Sequence, residues 1–185
     1  CQEFLAKFSY YLDDLKEAII IADGAPWIWD WADTFYPQHP QILDFYHAIE
    51  HLAKFAKCHI KGEHERQTFL TRLKEKLLDD GIAEVIAELE TLKPVTKQGR
   101  EEQRKLLNYY KKHQKRMYYK TFQEKEYFIG SGAVEAAHRH VLQQRLKLSG
   151  QRWTKDGFQA VVNLRACYKS KQQYKIKEWV KKKVA

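Results

Sequence analysis

The chain has 185 residues, 44% of them hydrophobic and 14% aromatic, with a formal net charge of +9. That length and apolar content suffice for one sizeable core and argue against disorder. No run approaches the roughly 18 apolar residues of a membrane span, so no membrane partner is expected.

The three cysteines, Cys1, Cys58 and Cys167, are scattered and lack CxxC spacing. This argues against a disulfide framework or a thiolate zinc site and fits a reducing cytoplasm. The chain opens on Cys1, with neither a methionine nor a basic-plus-apolar leader, and reads as a piece of a longer protein. Its charge is unevenly spread. Residues 1–92 hold 9 Lys/Arg against 17 Asp/Glu, and residues 93–185 hold 24 against 7, so the halves carry −8 and +17. An excess that large in one half favours a polyanionic partner, nucleic acid above all, over a merely solvated face.

Phe4, Leu5, Phe8, Tyr11, Leu12 and Leu15 recur at three-to-four spacing, which predicts an amphipathic helix over 2–16. The run Ala18 to Ala22 is short and rich in β-branched residues, and it stops at Asp23-Gly24. It reads as a strand buried on both faces, with Asp23 at its end. Pro26 opens a short aromatic helix from Trp27 to Phe35, ended by Pro37 and Pro40, and a second strand covers Gln41 to Leu43. Helical periodicity then runs over about 44–60, 64–79, 81–91 and 99–121, a block rather than an alternating α/β unit. After Gly130-Ser131-Gly132, Ser131 is a candidate cap for a helix to Leu148 with Glu135 in its first turns. Thr154 is a candidate cap for a helix to Lys169, and a basic tail follows.

Four constellations could carry chemistry. Asp23 leaves the carboxyl end of a strand, where α/β folds place ligands, and reads either as a metal-binding carboxylate or as an Asp-Gly turn residue. Glu135 reads either as a catalytic carboxylate or as a contact with the helix dipole. Asp44 and His47, three apart on one helix, read either as an acid–imidazole pair or as an N-cap beside a core histidine. His47-Ala48-Ile49-Glu50-His51 matches the H-x-x-E-H pattern of inverted zinc peptidases, although a five-residue pattern arises easily in a helix and a third ligand is unidentified.

Together, Ile20-Ile21-Ala22-Asp23-Gly24-Ala25-Pro26-Trp27-Ile28-Trp29, Phe35-Tyr36-Pro37, Ile42-Leu43-Asp44-Phe45-Tyr46-His47 and Ile129-Gly130-Ser131-Gly132-Ala133-Val134-Glu135 resemble the DDE transposases of prokaryotic insertion sequences, in the group related to Mutator-like elements. The resemblance covers nearly the whole chain, as its C-terminal portion. It implies a mostly helical α/β fold: a partial ribonuclease H-like core interrupted by an all-α insertion domain. Asp23 and Glu135 stand 112 positions apart, an excess that the helical block absorbs. The implied divisions are core 1–47 with the second catalytic Asp, insertion 48–125, core helices 126–170 with the catalytic Glu, and a basic tail 171–185.

The implied activity is two-metal DNA strand cleavage and transfer. Asp23 and Glu135 would bind two Mg2+ or Mn2+ ions, His47 would be catalytic, and Asp44 would support the motif. Phosphoryl transfer needs opposed oxygens held in line while charge is neutralised, and two oxygen-liganded ions do both. Another catalytic Asp, implied upstream, is not in this chain, and Asp13 and Asp14 lie on a helical pattern, so the chain alone is expected to be inactive. DNA contacts are expected from Lys111, Lys112, Lys115 and Arg116 in one basic segment and from Arg139, Arg145, Lys147, Arg152 and Trp153 in another, and a homo-oligomer on DNA is implied. Tyr109, Tyr110, Tyr118 and Tyr119 read either as base-stacking platforms or as a core stripe. A non-catalytic DNA-binding helical module, a decayed transposase and a zinc peptidase remain as alternatives.

Overall fold

A computed structural model of the chain describes residues 18–174 and 176. The helix expected over 2–16 and most of the basic tail lie outside the described residues. Among the described residues the fold is mostly helical, with one small two-stranded sheet, and the chain divides into two compact units at Ser131/Gly132. Among the described residues no helix is long and apolar enough to cross a membrane.

In the first unit, β1 (Ile20–Ala22) and β2 (Gln41–Leu43) pair in parallel, with Ile20, Ile21 and Ala22 opposite Gln41, Ile42 and Leu43. Parallel strands need a crossover, and α1 (Pro26–Phe35) supplies it, opened by a proline whose missing N–H costs nothing in the first turn. Its Trp29, Trp31 and Ala32 are buried. Burial is uneven on β1: Ile20 is enclosed, whereas Ile21 and Ala22 are half-buried.

Four longer helices follow. α2 (Phe45–His59) buries Phe45, Ala48, Leu52, Phe55 and Ala56, the three-to-four spacing of one apolar stripe. α3 (Glu63–Leu78) packs beside it and α4 (Ile82–Thr91) packs against α3, the latter two joined by Arg72 and Lys76 to Glu88. α5 (Lys97–His113) is capped by Thr96, whose hydroxyl accepts from Gly99 N at 2.9 Å. The Gln103 amide of α5 donates to the carbonyls of Leu89 and Leu92, groups that the end of α4 leaves without helical partners. In the core, the Tyr110 hydroxyl donates to Ala48 O at 2.9 Å.

The helix expected over 99–121 is broken. α5 stops at His113, a 3-10 turn covers Gln114–Arg116, and α6 (Tyr119–Glu124) begins afresh. Two tertiary contacts turn the chain there: Arg116 is tied to Asp33 and Gln41, and Met117 is fully buried. Asp80, at φ +61°, accepts from the backbone N–H groups of Lys120 and Thr121 and so caps the new helix.

The second unit holds α7 (Gly132–Ala137), a π-helical stretch His138–Gln143, α8 (Gln144–Leu146) and α9 (Lys155–Lys169). A single α-helix to Leu148 was the expectation. The wider turns of the π stretch disturb the regular ladder, and Arg165 of α9 donates to the carbonyls of His140 and Val141. Thr154 caps α9 through Gly157 N at 3.1 Å, as the sequence indicates.

Candidate active site at the carboxyl end of the strand pair

Both strands run out at the same edge, where Asp44 N donates to Ala22 O at 2.8 Å. Asp23 and Asp44 therefore leave adjacent strand ends. Asp23 is exposed. Its Oδ1 accepts from Ala25 N at 2.9 Å, an Asx turn, and among the described residues its second oxygen accepts no hydrogen bond. Its backbone carbonyl accepts from the Trp29 indole N–H at 2.7 Å, which pins the strand end to α1.

Asp44 has a different task. It is only 4% exposed and accepts four hydrogen bonds. Oδ1 takes Tyr46 N at 2.8 Å and His47 N at 3.1 Å, the N-cap of α2; Oδ2 takes Ser131 N at 2.7 Å and the Ser131 hydroxyl. Phe45 N adds a bond to Ile129 O at 2.9 Å. Burial pushes the Asp44 carboxyl up, yet the bonds from Ser131, His47 and Tyr46 outweigh it and hold the group below its ordinary value. With every acceptor direction spoken for, Asp44 fastens the chain and is not offered to a metal.

The Asp44–His47 pair is thus an N-cap contact to the backbone. The His47 imidazole lies instead 3.5 Å from Glu50, and it is half-exposed rather than a core histidine. His47 and His51 are edge-on with centroids 5.9 Å apart, and the His51 ring stacks on Tyr109 at 4.2 Å. Burial, then Lys54 and His47, press the His51 imidazole below its ordinary value. Among the described residues no group of three or more His, Cys, Asp and Glu could hold a metal ion.

Tyr109 is the contact that sequence reasoning left open. Its ring lies against Gly24, where a Cβ would fall 2.1 Å from the ring, so only glycine permits the approach beside Asp23. The hydroxyl is buried without a hydrogen-bond partner. Burial, with Asp23, Asp44 and Glu50 nearby, pushes the phenol well above its ordinary value. Tyr110 and Tyr119 are fully buried and Tyr118 is exposed, so three of the four tyrosines are packing residues.

The chain leaves the first unit at Ser131, four residues before Glu135. Glu135 is exposed in the first turn of α7 and lines a concavity of about 720 Å3 with His138, Arg139, His140 and Gln143. Arg139, Arg145, Lys147 and Arg152 are exposed and Trp153 is half-buried. On the first unit, Lys111 pairs with Glu90 at 2.5 Å, Arg116 is held bidentately by Asp33, and Lys112 and Lys115 are exposed.

These features define a mostly helical α/β protein with an exposed aspartate at a strand edge and a clasp leading to a helical glutamate. Residues 1–183 match the Uncharacterised protein family (UPF0236), and the chain belongs to that family. No curated protein and no solved structure matches it.

Proposed function

We propose that the chain is the C-terminal portion of a DDE-type DNA transposase that cleaves and transfers DNA strands on a ribonuclease H-like core, with the helical block as its insertion domain. The observation that carries this reading is the Asp44–Ser131 clasp: it holds Ser131, the last residue of the first unit, at the strand edge from which Asp23 emerges. The resemblance of the motif set adds the expectation that both acids serve one reaction.

Carboxylates are the residue type that divalent ions preferring oxygen take. Asp23 is exposed with one oxygen uncommitted, and Glu135 is exposed in a first turn. A pair of Mg2+ or Mn2+ ions, when bound, supplies activation of water or a 3′-hydroxyl and neutralises charge on the phosphate. Asp23 and Glu135 would hold them, together with the further aspartate that the resemblance implies. Trp29 fixes the backbone of Asp23, and Asp44 holds Ser131 beside it on the same strand edge. His47, oriented by Glu50, acts on the DNA at the same edge. The exposed Arg139, Arg145, Lys147 and Arg152 grip phosphates, with Trp153 beside them, and the protein works as a homo-oligomer on its element ends. A non-catalytic DNA-binding module is the second reading; it is favoured by the Asx turn, which gives Asp23 a local structural task.

The test is cleavage of element-end DNA by the protein expressed from its complete reading frame with Mn2+ or Mg2+. Asp23→Asn and Glu135→Gln should each lower cleavage by at least ~1,000-fold while DNA affinity stays within about twofold. Cleavage at the wild-type rate in either variant overturns the catalytic assignment and leaves the second reading.

A further inference from the structure

We infer that a cleft at the amino end of the β1–β2 pair is a separate binding site for the phosphodiester backbone of DNA. The inference rests on the DNA reading above but not on its carboxylates. The cleft encloses about 630 Å3 and is lined by Asp33, His39, Lys112, Lys115, Arg116 and Phe122, between the prolines that precede β2. It opens where β2 begins, since Arg116 Nε donates to Gln41 Oε1 at 2.8 Å, whereas Asp23 and Asp44 leave the opposite ends of the same strands.

The charges in the cleft are of two kinds. Arg116 is committed: its guanidinium donates to both oxygens of Asp33 at 2.6 and 2.8 Å, lies over the Trp29 ring at 4.5 Å, and is only 12% exposed. It neutralises Asp33 and forms the wall. Lys112 and Lys115 are exposed, and among the described residues neither ammonium has a carboxylate within 4 Å, in contrast to Lys111 with its Glu90. Their two positive charges therefore stand unbalanced over the opening. The His39 Nδ1 accepts from Ala18 N at 3.3 Å, which leaves Nε2–H as a donor on the same wall. Burial is the main reason that the His113 imidazole is held down at about 4, with Arg116 and Lys112 adding to it. The volume falls within the ~300–1,000 Å3 of small-ligand sites, room for a nucleotide unit rather than a bare ion, and Phe122 gives that unit an apolar surface.

The experiment is fluorescence anisotropy of a labelled duplex of random sequence across a salt series, with the chain of 185 residues. Lys112→Glu/Lys115→Glu should weaken binding at least ~10-fold and reduce the log–log salt slope by about 2. Lys112→Gln/Lys115→Gln, which adds no carboxylate beside Asp33, should move in the same direction. Lys57→Glu/Lys74→Glu changes the net charge equally on exposed lysines elsewhere and should lose markedly less. The readout is binding without cleavage and needs no carboxylate, so failure of the catalytic reading leaves this site standing. A wild-type slope in both cleft variants, or an equal loss in the Lys57/Lys74 variant, overturns the site. No binding by the wild-type chain overturns it together with the DNA reading.

Discussion

The carboxylate of Asp44 holds both the backbone N–H and the hydroxyl of Ser131, a residue 87 positions further along the chain, while its other oxygen caps α2. One buried side chain thus closes a helix start and a long-range junction at once. Asp44→Ala leaves four donors without their acceptor and should cost ~2–4 kcal/mol in urea unfolding. Ser131→Ala should cost ~1 kcal/mol, and the double variant should show a coupling near 1 kcal/mol. Since the folded Asp44 carboxyl lies below its ordinary value of 3.8, this stability is present above that pH and is lost as acid protonates the group. A purely additive cycle would break the link between the two residues.

His113 is 1% exposed, its Nδ1 has no partner, and its pKa is held at about 4 against an ordinary 6.5. The unfolded chain therefore binds a proton that the folded chain refuses between those values. Stability is full above pH 6.5 and declines as pH falls toward 4, by up to about 1.4 kcal/mol per pH unit. His113→Asn should flatten that decline; an unchanged acid profile would assign it to other groups.

Tyr109→Phe removes a buried hydroxyl that has no partner but keeps the stack on His51 and the packing on Gly24. Its stability should be unchanged or raised by up to ~1 kcal/mol. Gly24→Ala should destabilise the wild type by at least ~1 kcal/mol and be tolerated far better in a Tyr109→Ala background, because the collision is with that ring. Equal costs in both backgrounds would place the strain elsewhere.

Glu88 receives Arg72 and Lys76 from α3, and the Arg72 hydrogen bond, then Lys76, bring its pKa from 4.5 to about 2. Both cations are partly exposed, so solvent screening leaves ~1 kcal/mol of the pairing at neutral pH. That contribution is present above pH 4.5 and fades toward pH 2. Glu88→Gln should lose it at neutral pH and match the wild type at pH 2. A variant equal to the wild type at both pH values would show the pair to be energetically silent.

What the sequence made legible was local. Pro26 at a first turn, Asp44 and Thr154 as caps, the short β-branched run before Asp23 and the short strand before Asp44 act within a few residues, so their patterns survive folding. What stayed hidden depends on distant partners. Helical periodicity runs unbroken through 114–118, yet Asp33, 83 positions earlier, draws Arg116 out of register. The π stretch after α7 is answered by Arg165 from another helix, and nothing near His138 announces it. Ser131 has the chemistry of a helix cap, and only the fold reveals that its hydroxyl goes to Asp44. His47 likewise turned to Glu50, where the i, i+3 pattern had offered Asp44.

The clasp at Asp44 also orders the assembly of the molecule. Bringing residues 44 and 131 together in a chain without helices means closing a very long loop for a few hydrogen bonds, a step opposed by configurational entropy. Once α2 to α6 have formed from local contacts, the same ends are separated by a handful of rigid rods, and the closure is short. Loop closure of that length favours a clasp that forms after the helices have condensed, whereas the strand pair carrying Asp23 closes over a short crossover.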